Sequence, residues 1–78
     1  MFEDVRGVVA EIVQRPPETI TTDSTFAELE LDSLAIAEFT VVAEKRLGVV
    51  VDIDAVSGVG TVGELVDLMS GAAAGAAR

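Results

Sequence analysis

Ser33 is the residue with the clearest chemical potential, and it stands with Asp32 at the start of a run with helical periodicity. The first turn of a helix has backbone N–H groups without intrahelical partners, and the helix dipole is positive there. A phosphate ester on the serine oxygen would therefore lie in a favourable field. Asp32 and Ser33 are also residues that commonly cap helices. These two residues alone leave both interpretations open, a capped helix start and a serine that carries a phosphate-linked group.

Residue types that usually perform catalysis are scarce in this chain. It has no cysteine and no histidine, and Lys45 is its single lysine. This excludes disulfides, thiolate metal sites, cysteine nucleophiles and the most common general base. We therefore expect no catalytic residue and no specific metal site.

The charge of the chain is strongly one-sided, with 14 acidic and 5 basic residues and a formal net charge of −9. Such a field repels nucleic acid and anionic membranes and attracts basic protein surfaces. No run approaches the roughly 20 apolar residues of a membrane span, and the acidic N-terminus lacks the apolar centre of a signal peptide. We expect a soluble, cytoplasmic monomer that binds proteins with basic surfaces and binds neither nucleic acid nor membrane.

Hydrophobic periodicity predicts an all-α fold, a small four-helix bundle with three main helices, a short third helix and a long first loop. The first helix begins near Phe2 and ends before Pro16, because proline restricts the preceding residue and cannot continue the hydrogen-bond ladder. A second helix covers residues 34–47, a short one residues 52–56, and a last one residues 61–70. Residues 16–31 form a long connection whose apolar residues should tie it to the core.

Two segments have the spacing of a capping box, in which a threonine is followed three residues later by glutamate. They are Thr25 to Glu28 in the long loop and Thr61 to Glu64 at the start of the last helix. By contrast, Val49–Val51 has β-type residues but no second strand to pair with, so we predict an extended connection there.

A helical wheel divides the second helix into two faces. The core face is predicted to contain Ile36, Phe39, Ala43 and Leu47. The opposite face contains Leu34, Glu38, Val41 and Lys45. Two apolar residues on the second face are thus predicted to be exposed to solvent.

We predict one domain over residues 1–70, followed by a flexible tail over residues 71–78. The tail is rich in alanine and glycine and has no periodic apolar face with which to pack.

Just before the last helix, Gly58, Gly60 and Gly63 match the spacing of a dinucleotide-binding loop. The chain has no room after them for the returning strand and the ribose-binding acid of that fold, so we assign these glycines to a turn.

Residues 25–34, with the sequence TFAELELDSL, resemble the attachment site of acyl carrier proteins, in which a serine holds a 4′-phosphopantetheine arm. The likeness extends to the first helix, the long loop, the second helix and residues 61–66. It implies that a phosphopantetheinyl transferase moves the arm from coenzyme A to Ser33. Acyl groups would then travel as thioesters on the sulfur of the arm, and the chain itself would be a carrier and not an enzyme.

The same resemblance implies roles for residues around the serine. Asp32 would help the transferase to hold magnesium. The partner-binding residues would be Leu34, Glu38, Val41 and Glu44, which would meet a ketosynthase, an acyltransferase and other synthase enzymes with basic docking surfaces. Two positions depart from the family pattern, because Lys45 replaces a common acid and Glu30 replaces a common glycine.

The resemblance favours a dissociated fatty acid or polyketide pathway. The composition, rich in alanine and valine and poor in lysine, favours a specialised polyketide pathway of the kind that makes antibiotics. A peptidyl carrier protein is a competing hypothesis, although such proteins commonly have glycine before the serine motif. Two hypotheses from different functional classes also stay open. One is an acidic helical adaptor that is never modified, and the second is a small enzyme that uses its carboxylates.

Overall fold

The computed structural model describes residues 1–76, and it describes side chains as far as Ala73. Four α-helices follow one another along this part of the chain, together with a short 3-10 helix at Pro17–Thr19. They are α1 (Phe2–Val13), α2 (Ser33–Leu47), α3 (Ile53–Ser57) and α4 (Val62–Ala76). The all-α prediction is confirmed, and within the described residues β-type pairing is limited to one bridge between Thr25 and Thr61. None of the described helices is long and apolar enough to cross a membrane.

The apolar faces of the helices meet in one core that contains no buried polar side chain among the described residues. The predicted core face of α2 is confirmed, since Ile36, Phe39 and Ala43 are buried and Leu47 is partly buried against them. Burial of such side chains is the main stabilising contribution in a domain of this size. The other buried residues are Val5, Val8, Val9, Ala10, Ile20, Phe26, Leu29, Val49, Val56, Val62, Leu65 and Met69.

Helix α1 ends at Val13, somewhat earlier than the prolines alone require. Gln14 adopts a left-handed conformation with φ 58°, and the N–H groups of Gln14 and Arg15 both donate to the carbonyl oxygen of Ala10. This arrangement satisfies a carbonyl that the end of the helix would otherwise leave unpaired. The two prolines predict that the helix ends before residue 16. The cap at Gln14 ends it earlier, at Val13.

The long first loop is packed and not loose, as predicted. Ile20, Phe26 and Leu29 are all buried in the core. The capping box at Thr25 forms, because the Glu28 N–H donates to the Thr25 hydroxyl at 3.0 Å and the Thr25 N–H donates to the Glu28 carboxylate at 3.3 Å. The loop therefore contains a capped single turn that ends close to the start of α2.

Main-chain hydrogen bonds join this loop to the start of α4. The bonds run from the N–H of Phe26 to the oxygen of Gly60 (3.0 Å), from Val62 to Ser24 (2.9 Å) and from Gly63 to Thr22 (2.9 Å). A Cβ atom on Gly63 would lie 3.1 Å from the Thr22 oxygen, a tight contact, so the close approach favours glycine. The assignment to the turn before the last helix holds for Gly58 and Gly60 but is wrong for Gly63, which is the second residue of α4 and lets the loop pack closely against it.

The extended connection before α3 and the cap of α4 match their predictions. Gly48 caps α2 with φ 67°, and residues 49–51 are extended, with Val49 buried. The Asp52 carboxylate then accepts a hydrogen bond from the Asp54 N–H at 3.0 Å and caps α3. Thr61 caps α4 in the same way, by accepting from the Glu64 N–H at 3.2 Å.

The predicted end of the last helix, at about Ser70, is wrong. Helix α4 continues to Ala76, and both Ala72 and Ala73 are partly buried against the core. Alanine has the highest helix propensity of all residues, and these two alanines add packing that the sequence pattern did not reveal. The predicted tail therefore begins inside a helix. Its last two residues, 77 and 78, lie outside the described part of the chain.

Glu30 is exposed and has φ 57°, a left-handed conformation that side chains disfavour. Replacing it with glycine removes this strain, although a more flexible unfolded chain offsets part of the gain. We expect Glu30→Gly to raise the free energy of unfolding by about 0.5–1 kcal/mol in urea titrations. Glu30→Gln is the control, because it removes the charge and keeps the strain. An equal gain in that control would contradict the backbone explanation.

Candidate functional site

Ser33 is the first residue of α2, and its side chain is exposed to solvent. Asp32 precedes it as the helix cap, and the Asp32 carboxylate accepts a hydrogen bond from the Ala35 N–H at 2.8 Å. The carbonyl oxygen of Asp32 accepts from the Ile36 N–H at 2.9 Å. The capping role thus falls to Asp32, and no hydrogen bond joins the Ser33 hydroxyl to another of residues 1–76.

The first two N–H groups of α2 remain available. Within the described residues, the N–H groups of Ser33 and Leu34 donate no hydrogen bond. Donors of this kind, at the positive end of a helix of this length, form a favourable environment for a phosphate. The electrostatics of the site therefore suit an anionic group on the serine oxygen.

The structure brings the four residues predicted to bind partners onto the exposed side of α2. Leu34 is 69% exposed and Val41 is 50% exposed, and Glu38 and Glu44 are also exposed. The Val41 side chain borders a shallow apolar surface with Ala37 and Val42. This exposed side of α2, formed by Leu34, Glu38, Val41 and Glu44, is called the partner face below.

Arg46, at the end of α2, is engaged in an ion pair that the sequence pattern did not predict. Its guanidinium donates two hydrogen bonds to the Glu11 carboxylate of α1, one of them at 2.7 Å. Hydrogen bonding to Arg46, together with its charge, lowers the pKa of Glu11, and the same contact raises the pKa of Arg46. The partners lie 35 residues apart in the chain, so no local pattern could reveal them. By contrast, Lys45 is in no ion pair within the described residues.

Two cavities bear on what the site can hold. An open cleft of about 280 Å³ lies between the end of α1 and the start of α2, and its lining includes Asp32 and Leu34, the neighbours of Ser33, but not Ser33 itself. The space at the centre of the bundle, next to Phe39, is only about 10 Å³. That volume is close to the space that one water molecule requires. In this conformation the interior is too small for an acyl chain.

A family model described as a phosphopantetheine attachment site matches residues 3–69. The chain is also similar to several proteins named acyl carrier protein. It is 33% identical to one from Streptococcus pyogenes over 85% of this chain and 86% of that protein. It is 35% identical to one from Rhodococcus erythropolis over 85% and 74%, and 36% identical to one from Acidothermus cellulolyticus over 92% and 79%.

The chain therefore belongs to the acyl carrier protein family, whose members contain a phosphopantetheine attachment site. Membership implies that its cofactor is covalently attached 4′-phosphopantetheine. The start of α2 fits the phosphate of this group, because an exposed serine hydroxyl lies there beside two N–H donors without described partners.

The Glu11–Arg46 pair predicts a defined pH dependence. Because the folded state lowers the pKa of Glu11, the pair stabilises the fold above the unfolded glutamate pKa of about 4.3. This contribution is lost as the pH falls through the folded value. We expect wild type to be more stable than Glu11→Gln at pH 7, and the difference to shrink in urea titrations as the pH falls from about 5 to about 3.

Arg46→Gln is the matched variant for this test, because it removes the same ion pair from the other side. Its difference from wild type should shrink over the same pH range. A difference that stays constant across this range for both variants would show that the ion pair does not link pH to stability.

Proposed function

We propose that this chain is a non-catalytic carrier that holds acyl groups as thioesters on a 4′-phosphopantetheine arm attached to Ser33. The observation that carries this proposal is the exposure of Ser33 as the first residue of α2, with its hydroxyl free of capping. When bound, the group supplies a thiol on a long flexible arm. The chain has no cysteine and could not provide such a thiol itself.

The loading step assigns a distinct role to each residue at the start of α2. The Ser33 oxygen forms a bond to the phosphorus of coenzyme A that bears the pantetheine, and adenosine 3′,5′-bisphosphate leaves. The serine proton passes to a base of the phosphopantetheinyl transferase. One oxygen of Asp32 is occupied by the Ala35 N–H, so its second oxygen is the one that can reach a magnesium ion held by the transferase.

The partner face suits enzymes with basic docking surfaces. Glu38 and Glu44 supply negative charge, which speeds the approach of a basic partner. Leu34 and Val41 supply apolar area that a docked enzyme would bury. We infer that the transferase, a ketosynthase and an acyltransferase use this face in turn, and that they meet the carrier in the cytoplasm.

We further infer that the carrier serves a dissociated polyketide pathway and not fatty acid synthesis. Support comes from the composition, which has a single lysine, and from the position of that lysine beside the partner face. A cation at Lys45 selects partners with an acidic residue opposite it. The inference of a polyketide pathway rests on these two features, the composition and the positive charge of Lys45.

Mass spectrometry of the intact protein tests the function. The purified chain is incubated with coenzyme A and a phosphopantetheinyl transferase of broad specificity. Wild type should gain the mass of one phosphopantetheine, and Ser33→Ala should gain none. Ser57→Ala is the matched control, because Ser57 is also an exposed helix residue, and it should be modified like wild type.

If wild type gains no mass, the carrier function is wrong. The exposed partner face would then favour an acidic adaptor that binds proteins without modification. If Ser33→Ala is still modified, the arm is attached to another residue and the assignment of Ser33 is wrong.

A further inference from the structure

The cleft beside Ser33 is a feature that the carrier function does not yet explain. It has a volume of about 280 Å³ and an open mouth, and it lies between the end of α1 and the start of α2. Binding sites for drug-sized ligands usually start near 300 Å³, so this cleft has room for a narrow, extended chain. Its lining residues are Ile12, Val13, Arg15, Leu29, Glu30, Asp32, Leu34, Ala35 and Glu38.

The cleft is lined by both apolar and charged side chains, and polar atoms form most of its exposed surface. Ile12 and Val13 at the end of α1 are partly buried and face the same space as Leu29 of the loop. Leu34 and Ala35 of α2 close the other side. This combination suits an uncharged chain that has both polar and apolar groups.

Arg15 is the one cation that lines the cleft, among three carboxylates. Its backbone is held in place, because its N–H donates to the Ala10 oxygen at 3.1 Å and the following Pro16 restricts its conformation. Arg15 forms no ion pair with the described residues. Its guanidinium therefore has donors to spare, and a guanidinium binds phosphate oxygens in pairs.

We propose that the cleft is the resting site of the chain's own phosphopantetheine arm, with Arg15 paired to the phosphodiester and the apolar side chains of the cleft in contact with the pantetheine. This inference rests on the proposed attachment at Ser33. The phosphodiester adds a negative charge beside Asp32 and near Glu30, and Arg15 is the group of the cleft that attracts it. Because three carboxylates also line the cleft, any attraction of the phosphodiester into it depends on Arg15 alone.

Because the arm is tethered to Ser33, even a weak binding site would hold it for much of the time. A short flexible link holds its ligand at an effective concentration in the millimolar range, so a cleft with a dissociation constant of about 1 mM would be roughly half occupied. The interior of the bundle offers no competing space in this conformation, since its central cavity is about 10 Å³. Two other surface clefts along α2, of about 260 and 290 Å³, include no residue next to Ser33, so the cleft that includes Asp32 and Leu34 is the one of the three that adjoins the attachment point.

The proposed resting site overlaps the partner face on which enzymes would dock. Leu34 and Glu38 belong both to the cleft and to the partner face. An enzyme that covers the partner face would cover part of the cleft, and the arm would then leave its resting site. Docking and release of the arm are thereby coupled through shared residues.

Nuclear magnetic resonance of the isotope-labelled protein tests the proposal, with the unmodified and the modified forms compared. Changes at Ser33 and Leu34 are expected from the new bond alone and decide nothing. The informative signals are the methyl groups of Ile12, Val13 and Leu29, which belong to other parts of the chain. They should shift on modification and show nuclear Overhauser effects to the geminal methyl groups of the pantetheine.

Arg15→Gln should reduce these shifts by more than half in the modified protein, because the phosphodiester loses its cation. Lys45→Gln is the matched control, since it removes one exposed cation of α2 from outside the cleft, and it should leave them unchanged. Thermal melting of both variants checks that the fold is retained.

Three results would overturn the proposal while leaving the carrier function intact. They are shifts confined to the start of α2, shifts at core residues such as Phe39 in place of Ile12 and Val13, and shifts that Arg15→Gln does not change. If mass spectrometry finds no modification at Ser33, the carrier function fails, and this proposal fails with it.

Discussion

The position of Ser33 depends on the main-chain hydrogen bonds that join residues 22–26 of the first loop to residues 60–63 at the start of α4. A connection of this length would otherwise be free to move, and the start of α2 would move with it. The bonds hold the loop against the bundle, while buried Phe26 and Leu29 fix it from within. From that anchor the chain passes through the left-handed residue Glu30 to Asp32, which caps α2 and leaves the serine exposed.

In this small domain the buried apolar residues stabilise the fold, and the charged residues on the surface are available for contact with partners. The core has no buried polar side chain among the described residues, so packing does not require charged groups in the interior. The charges are on the surface, where their long-range field can act on partners. Arg46 is also exposed, but it has a structural role as well, because its ion pair with Glu11 joins α2 to α1. Arg15 beside the cleft and Lys45 beside the partner face remain outside ion pairs in the described structure, and both lie where a ligand or an enzyme would approach.

Features encoded within a few neighbouring residues could be predicted from the sequence. The capping box at Thr25, the core face of α2 and the exposed pair Leu34 and Val41 follow from spacings of three or four residues, and all were confirmed. The capping box at Thr61 forms only in part, because the Thr61 hydroxyl accepts from the Glu64 N–H but, within the described residues, the Thr61 N–H does not donate to the Glu64 carboxylate. Features that join distant segments could not be predicted in this way. The Glu11–Arg46 pair, the approach of Gly63 to Thr22 and the position of Arg15 beside the cleft each depend on how helices and loop pack together. The continuation of α4 past Ser70 was missed because alanine gives a weak periodic signal, even where it packs against the core.

Hydrogen exchange at the start of α4 tests most directly whether the loop is fixed to the bundle. First-turn amides of a helix normally lack partners and exchange quickly. The amides of Val62 and Gly63 are different, because they donate to the loop. They should exchange as slowly as core amides such as that of Leu65, whereas the first-turn amides of Ser33 and Leu34 in α2 should exchange quickly. Exchange at Val62 and Gly63 that is as fast as at Ser33 would contradict the account, because the loop would then open while the helices stay folded.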